Sequence, residues 1–187
     1  MKQKWLSLGP AQQFVAASVA AVAIWRLLFV YILHPIRIPD KILTQTIATG
    51  TTFIINLFSG SNASKAFWMD GSWPGDFGVR IIRDNRVILS IGDTCNGLEL
   101  MLIYAGVIVL LPGEKDRKIR YVSVGILSLI IANMFRCAGL EWVFQYFPEF
   151  FEATHHYVFT LVMYVFIFIG WVKYINKLGK TVSNAKK

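Results

Sequence analysis

Three groups of residues could together carry out acyl transfer. The first is Cys95, within Ile91-Gly92-Asp93-Thr94-Cys95-Asn96-Gly97-Leu98-Glu99. A β-rich stretch ends there and an apolar, helix-forming run begins, so the thiol falls at a helix N-terminus. The positive end of a helix stabilises anions, which suits a nucleophilic thiolate. Such chemistry also needs a base and a cationic or donor group for the oxyanion. Arg136 lies near the end of a later apolar run, where a guanidinium is costly and marks function by default. Asn133, three residues earlier, shares its helix face and can hold the guanidinium or add a donor. His155 and His156 precede the last apolar run. Either can be the base. Each residue also has a plainer role. Arg136 could pair with Glu99, the histidines could touch lipid headgroups, and Cys137 reads as inert packing.

These groups need a scaffold, and the composition says which kind. The chain has 187 residues, 55% of them hydrophobic, with a mean hydropathy of +0.51. That is too apolar for a soluble domain of this size, and several runs approach the roughly 20 residues of a membrane crossing. A net charge of +8 could indicate nucleic acid, but the bases cluster beside apolar runs. Lys2 and Lys4, Lys115 to Arg120, and Lys173 to Lys187 form the pattern of cytoplasmic membrane ends. The two cysteines make no CxxC pair and no metal-ligand cluster, so a thiol oxidoreductase is disfavoured. The first apolar run is too long for a cleavable signal peptide and has no clear cleavage site.

The expected fold is an all-α polytopic membrane protein forming one domain over residues 1–187. Four transmembrane helices are expected, at 12–33, 96–111, 121–140 and 157–175. The first contains Arg26, which should face protein or snorkel. His34-Pro35-Ile36-Arg37-Ile38-Pro39 breaks the chain after it. The threonine-rich segment 41–59 reads as an interfacial amphipathic helix, and 60–78 as a polar loop whose Phe67, Trp68 and Trp73 suit the headgroup belt. Residues 79–90 read as a small extracytoplasmic β-hairpin turning at Asp84-Asn85. Glu141 to His156 reads as an aromatic, partly acidic outer loop. Parity supports this layout: with both basic patches after Cys95 in the cytoplasm, Cys95 lies outside, and a cytoplasmic N-terminus requires one earlier crossing.

The order Cys95-x-Gly97, then Asn133-x-x-Arg136, then a histidine before the last span resembles the exosortase/archaeosortase family. The likeness runs from about Pro39 to Trp171. It implies a membrane cysteine protease or transpeptidase in the inner membrane, with its site on the extracytoplasmic side. Cys95 would be the nucleophile, Arg136 the oxyanion or thiolate partner, and His156 or His155 the base, with Asn133, Glu99, Asn96 and Gly97 in support. His156 is preferred because the small Thr160 one turn later matches the family's pattern after its histidine, and no metal or organic cofactor is implied. The implied partners are exported proteins with a C-terminal tail of motif, apolar helix and basic residues, together with membrane lipids; nucleic acid is not among them. Asn96 stands where the family often has a small residue, and the extra N-terminal spans of longer members are missing. The alternative is a non-enzymatic membrane assembly subunit with a structural Cys95–Cys137 disulfide.

The topology is testable with reporter fusions. Fusions after Gly113 and Lys187 are expected to report the cytoplasm, and one within 71–78 the exterior. A cytoplasmic signal from 71–78 would mean that 41–59 crosses the membrane.

Overall fold

The computed structural model describes residues 38–60, 64–69 and 78–185, with isolated positions between 9 and 31, apart from the side chains of Ile38, Thr94 and 179–185. The expected first span, 12–33, lies outside the described residues except for scattered helical positions from Gln12 to Leu27; Arg26 and Trp73 also lie outside them.

Helix α1, Ile38–Ser59, leads into a three-stranded antiparallel sheet of β1 (Lys65–Met69), β2 (Gly78–Arg83) and β3 (Arg86–Gly92), in that spatial order. A 3₁₀ turn, Asp93–Cys95, joins β3 to α2 (Leu98–Leu110). Helix α3 spans Lys115–Tyr146, helical turns follow from Pro148 to Val158, and α4 runs from Phe159 to Ala185.

The hairpin turns where its sequence allows. Asp84 and Asn85 both have positive φ, 51° and 59°, the backbone of a two-residue turn whose twist matches that of its strands. Asn and Asp are among the residues that best tolerate this conformation. Ile81 pairs with Leu89 and Ile82 with Val87, so Ile88 is an extra residue that bulges β3. Strand β1 falls within the segment expected as a loop. Its side chains alternate, with Ala66 and Trp68 turned inward and Lys65, Phe67 and Met69 outward. Trp68 therefore packs on the core, with Lys41 Nζ 5.0 Å above its ring, and is not a free headgroup anchor.

Two cores hold these elements. In one, Ile47, Ala48 and Ile55 of α1 meet Val79, Ile81 and Ile91 of the sheet and Cys137 of α3. Gly50 lets α1 cross close to Met134, where Thr51 Oγ1 donates to the Met134 carbonyl (3.4 Å). In the other core, Met101, Tyr104 and Ile108 of α2 pack with Leu129 of α3 and Met163, Ile167 and Tyr174 of α4. Tyr104 Oη donates to the Tyr121 carbonyl (3.0 Å), Trp171 Nε1 to the Tyr104 carbonyl (3.2 Å), and Tyr174 Oη to the Pro112 carbonyl (2.9 Å).

The chain is a membrane protein. Helix α3, with 32 residues, and the helical run Pro148–Leu178, with 31, are long and apolar enough to cross, yet only 17% of each apolar window is buried. Phe135, Ile131, Leu127, Leu161, Phe168 and Val165 stay exposed, where a soluble core helix would cover them. The uncharged stretch of the second run, Tyr157–Val172, begins after both histidines. Four crossings were expected; two are supported by length among the described residues. With 13 residues, α2 rises only about 20 Å, short of a hydrocarbon core of about 30 Å.

The expected outer loop at 141–156 is largely helical. Its aromatics interlock, Trp142 with Tyr146 and Phe144 with Phe151, both at 5.5 Å between ring centroids. One of its three acids, Glu141, is buried and bound by Arg83 Nη2 of the hairpin (3.0 Å). Packing and a paired charge take the place of the solvent a loop would need.

The Tyr104 ring fills space that only glycine leaves open, since a Cβ at Gly125 or Gly170 would overlap it. Gly125→Val is expected to destabilise the protein by about 1–3 kcal/mol or more, as overpacking does, read as a lower unfolding temperature in detergent. Adding Tyr104→Ala should recover part of that loss, because contacting residues couple. Strictly additive effects would contradict this packing.

Candidate active site

Cys95 is held from both sides along the chain. Asn96, only 1% exposed, donates through Nδ2 to Asp40 Oδ1 (2.9 Å) and Thr44 Oγ1 (3.3 Å) of α1. Its Oδ1 accepts the Leu98 N–H (2.9 Å), covering a donor at the start of α2. Thr44 Oγ1 donates to Asp93 Oδ1 (2.8 Å). Helix α1 thus grips the residues two before and one after the thiol. Gly97 then turns the chain at φ +80°, a conformation that costs other residues steric strain. A Cβ there would also press on Asn133 Nδ2 at 3.3 Å.

Asn133, fully buried in α3, joins the thiol's turn to the arginine. Its Nδ2 donates to the Cys95 carbonyl (3.0 Å), and its Oδ1 accepts from Arg136 Nη1 (3.1 Å). The i,i+3 spacing makes the second bond local. Arg136 Nε is buried with no hydrogen-bond partner among the described residues. Buried donors are seldom left so. Glu99 is exposed on α2.

The cysteines differ in access. Cys95 is partly exposed, Cys137 is 3% exposed, and neither forms a disulfide. Cys95 packs against the apolar cluster that contains Cys137.

The histidines sit in a π-helical turn, Thr154–Val158. Such widened turns recur at functional sites. The two rings stay in contact, with centroids 4.8 Å apart and planes at 52°, but their surroundings differ. His155 is half-buried and stacks on Phe151, with centroids 5.8 Å apart and planes at 23°. Burial, then the Arg136 charge, then His156 pull its pKa below the ordinary histidine value, against a smaller opposing pull from Glu152. His155 therefore feels the guanidinium, and its neutral, proton-accepting form is favoured. Thr160 Oγ1 donates to the His155 carbonyl (3.4 Å). His156 points to solvent and bonds Glu152 Oε2 through Nε2 (3.1 Å), both side chains being well exposed.

Hydrogen bonds thus link Cys95, Asn133 and Arg136, with Asn96 and Gly97 shaping the thiol's turn; the Arg136 charge also reaches His155, and His156 and Glu99 lie at the surface. Reasoning from sequence passed over Asp40, Thr44 and Asp93. A signal existed: Asp40, Thr44, Ile47, Ala48, Thr51 and Ile55 recur at helical spacing and are all buried.

Comparison with known proteins gives one match. The family model described as "Transmembrane exosortase (Exosortase_EpsH)" matches residues 5–172, most of the chain. No curated protein and no solved structure matches.

The difference in access between the cysteines predicts their reactivity. In the folded protein a small alkylating reagent is expected to modify Cys95 at least about ten-fold faster than Cys137, since buried structural thiols are inert. Peptide mass mapping after timed quenching reads the two sites, and equal rates would contradict the burial described here.

Proposed function

The chain belongs to the transmembrane exosortase family, broadly a family of membrane cysteine proteases and transpeptidases, and from that premise we propose that it cleaves a C-terminal sorting tail from exported proteins by acyl transfer through Cys95. The observation that carries this is the Asn133 side chain, which bridges the Cys95 carbonyl and an Arg136 guanidinium whose Nε has no partner among the described residues. The protein sits in the inner membrane as a multi-pass chain with its site on the extracytoplasmic side. The substrate's apolar helix lies beside the spans with its cleavage motif at the outer mouth.

His155 takes the thiol proton. Cys95 Sγ attacks the scissile carbonyl carbon, and the C=O electron pair moves to oxygen, which the Arg136 N–H donors stabilise. As the tetrahedral intermediate collapses, the C–N bond breaks and the leaving amine takes the proton from the His155 imidazolium. Water or an acceptor amine then attacks the thioester, its proton passing to His155, and regenerates the thiol. Assignment to His155 rather than the sequence-preferred His156 draws support from its burial, its depressed pKa and the reach of the Arg136 charge. The surface bond of His156 to Glu152 suits a peripheral role.

Cleavage of a co-expressed substrate bearing the sorting tail, with membrane levels of each variant measured in parallel, tests these roles. Cys95→Ser should abolish turnover and Cys137→Ser should preserve it. His155→Ala should cost about 10²–10⁴-fold, as losing a general base does, and His156→Ala far less; the reverse ranking returns the role to His156. Arg136→Lys should cost on the order of 10²–10³-fold, because lysine lacks the planar fork of donors.

The pH profile carries a sign. The base works when neutral, so activity falls as pH drops through the pKa of His155. That pKa is lowered, which puts the acid limb below the ordinary histidine value of about 6.5. Arg136→Gln removes a positive neighbour and should move the limb of the residual activity to higher pH. An unmoved limb would separate the titrating group from Arg136.

A further inference from the structure

A groove of about 580 Å³ opens between α3 and α4, away from Cys95. Arg120 lies sixteen residues before Arg136, about 24 Å along α3, so the groove reaches nearly a bilayer core away from the candidate site. The two helices run antiparallel here, with Tyr121 of α3 meeting Tyr174 of α4 at 5.2 Å. Arg120 from the start of α3 and Lys173 and Lys177 from the far part of α4 therefore gather at one end. Deeper in, the walls are apolar or small, with Phe166, Gly125 and Gly170 beside the Tyr104 ring. No carboxylate lines the groove among the described residues.

We infer that this groove binds one anionic phospholipid of the cytoplasmic leaflet, its phosphate between Arg120 and Lys173 and an acyl chain along the Tyr104–Phe166 wall. Charge complementarity selects the occupant. A cationic rim over an apolar trough matches a phosphate joined to a hydrocarbon chain, and basic pockets between transmembrane helices bind such headgroups. The volume lies in the range of small-molecule sites. A peptide helix ending in basic residues would meet like charge at the rim. The site is independent of the proteolytic chemistry.

Native mass spectrometry of the full chain released from mixed phosphatidylglycerol and phosphatidylcholine micelles tests the inference. The unaltered protein should retain one phosphatidylglycerol several-fold in preference to phosphatidylcholine. Arg120→Gln with Lys173→Gln should erase that preference, whereas Arg120→Lys with Lys173→Arg should keep it. Lys115→Gln with Arg117→Gln removes equal charge from the same end of α3 outside the groove and should also keep it. Ser128→Phe, which fills the trough, should lower retention of both lipids. Unfolding temperatures measured alongside identify any variant that has lost its fold, and the charge-conserving pair then decides. Undiminished preference in the Arg120/Lys173 glutamine variant, equal loss in the Lys115/Arg117 variant, or a co-purifying peptide in place of lipid would overturn the proposal.

Discussion

One buried amide sets the geometry on which the site depends. Asn133 is completely enclosed, so both ends of its side chain need partners. Its donor end takes the Cys95 carbonyl and its acceptor end the Arg136 guanidinium. Neither bond can be given up cheaply, since an unpaired buried polar group costs about 1–3 kcal/mol. The thiol's turn and the arginine are thereby fixed relative to each other across two helices. Gly97 follows from the same constraint, because Asn133 Nδ2 would crowd a Cβ there at 3.3 Å and the turn needs a left-handed backbone.

Surrounding elements extend that constraint outward. Helix α1 supplies Asp40 and Thr44, which hold Asn96 and Asp93 on either side of the cysteine. Arg83 fastens the hairpin to Glu141, one turn beyond Cys137 on α3, and Gln145 shares the same guanidinium nitrogen (3.0 Å). In a membrane protein the burial rules run differently from those of a soluble one. Apolar side chains of α3 and α4 stay outside against lipid, while polar groups gather inside where partners exist. Several α1 hydroxyls comply by bonding within the protein: Thr52 donates to the Ala48 carbonyl and Thr51 to that of Met134.

Much of the site was legible because its signals are local. A cysteine between a β-rich stretch and an apolar run marks a strand-to-helix turn. Asp84-Asn85 marks a hairpin, and Asn133 and Arg136 share a face by spacing alone. What escaped depends on partners distant in sequence. The inward stripe of α1 did not stand out because threonine suits a headgroup surface as well as a buried hydrogen bond. Strand β1 is short, and its aromatics resembled an interfacial belt. The helical course of 141–156 rests on ring contacts and on the Arg83–Glu141 pair, 58 residues apart in sequence. The differing exposure of His155 and His156 rests on the Phe151 stack and on a π-helical turn, which sequence pattern does not announce.

The central claim is that Cys95 becomes covalently acylated. The direct measurement is intact-mass and peptide-mass analysis of the protein acid-quenched during turnover of a co-expressed, tail-bearing substrate. The account predicts a thioester adduct equal in mass to the substrate upstream of its cleavage point, carried on the Cys95 peptide, released by hydroxylamine and absent from Cys95→Ser. Undiminished cleavage by Cys95→Ala, or a Cys95 peptide found joined only to that of Cys137, would contradict it.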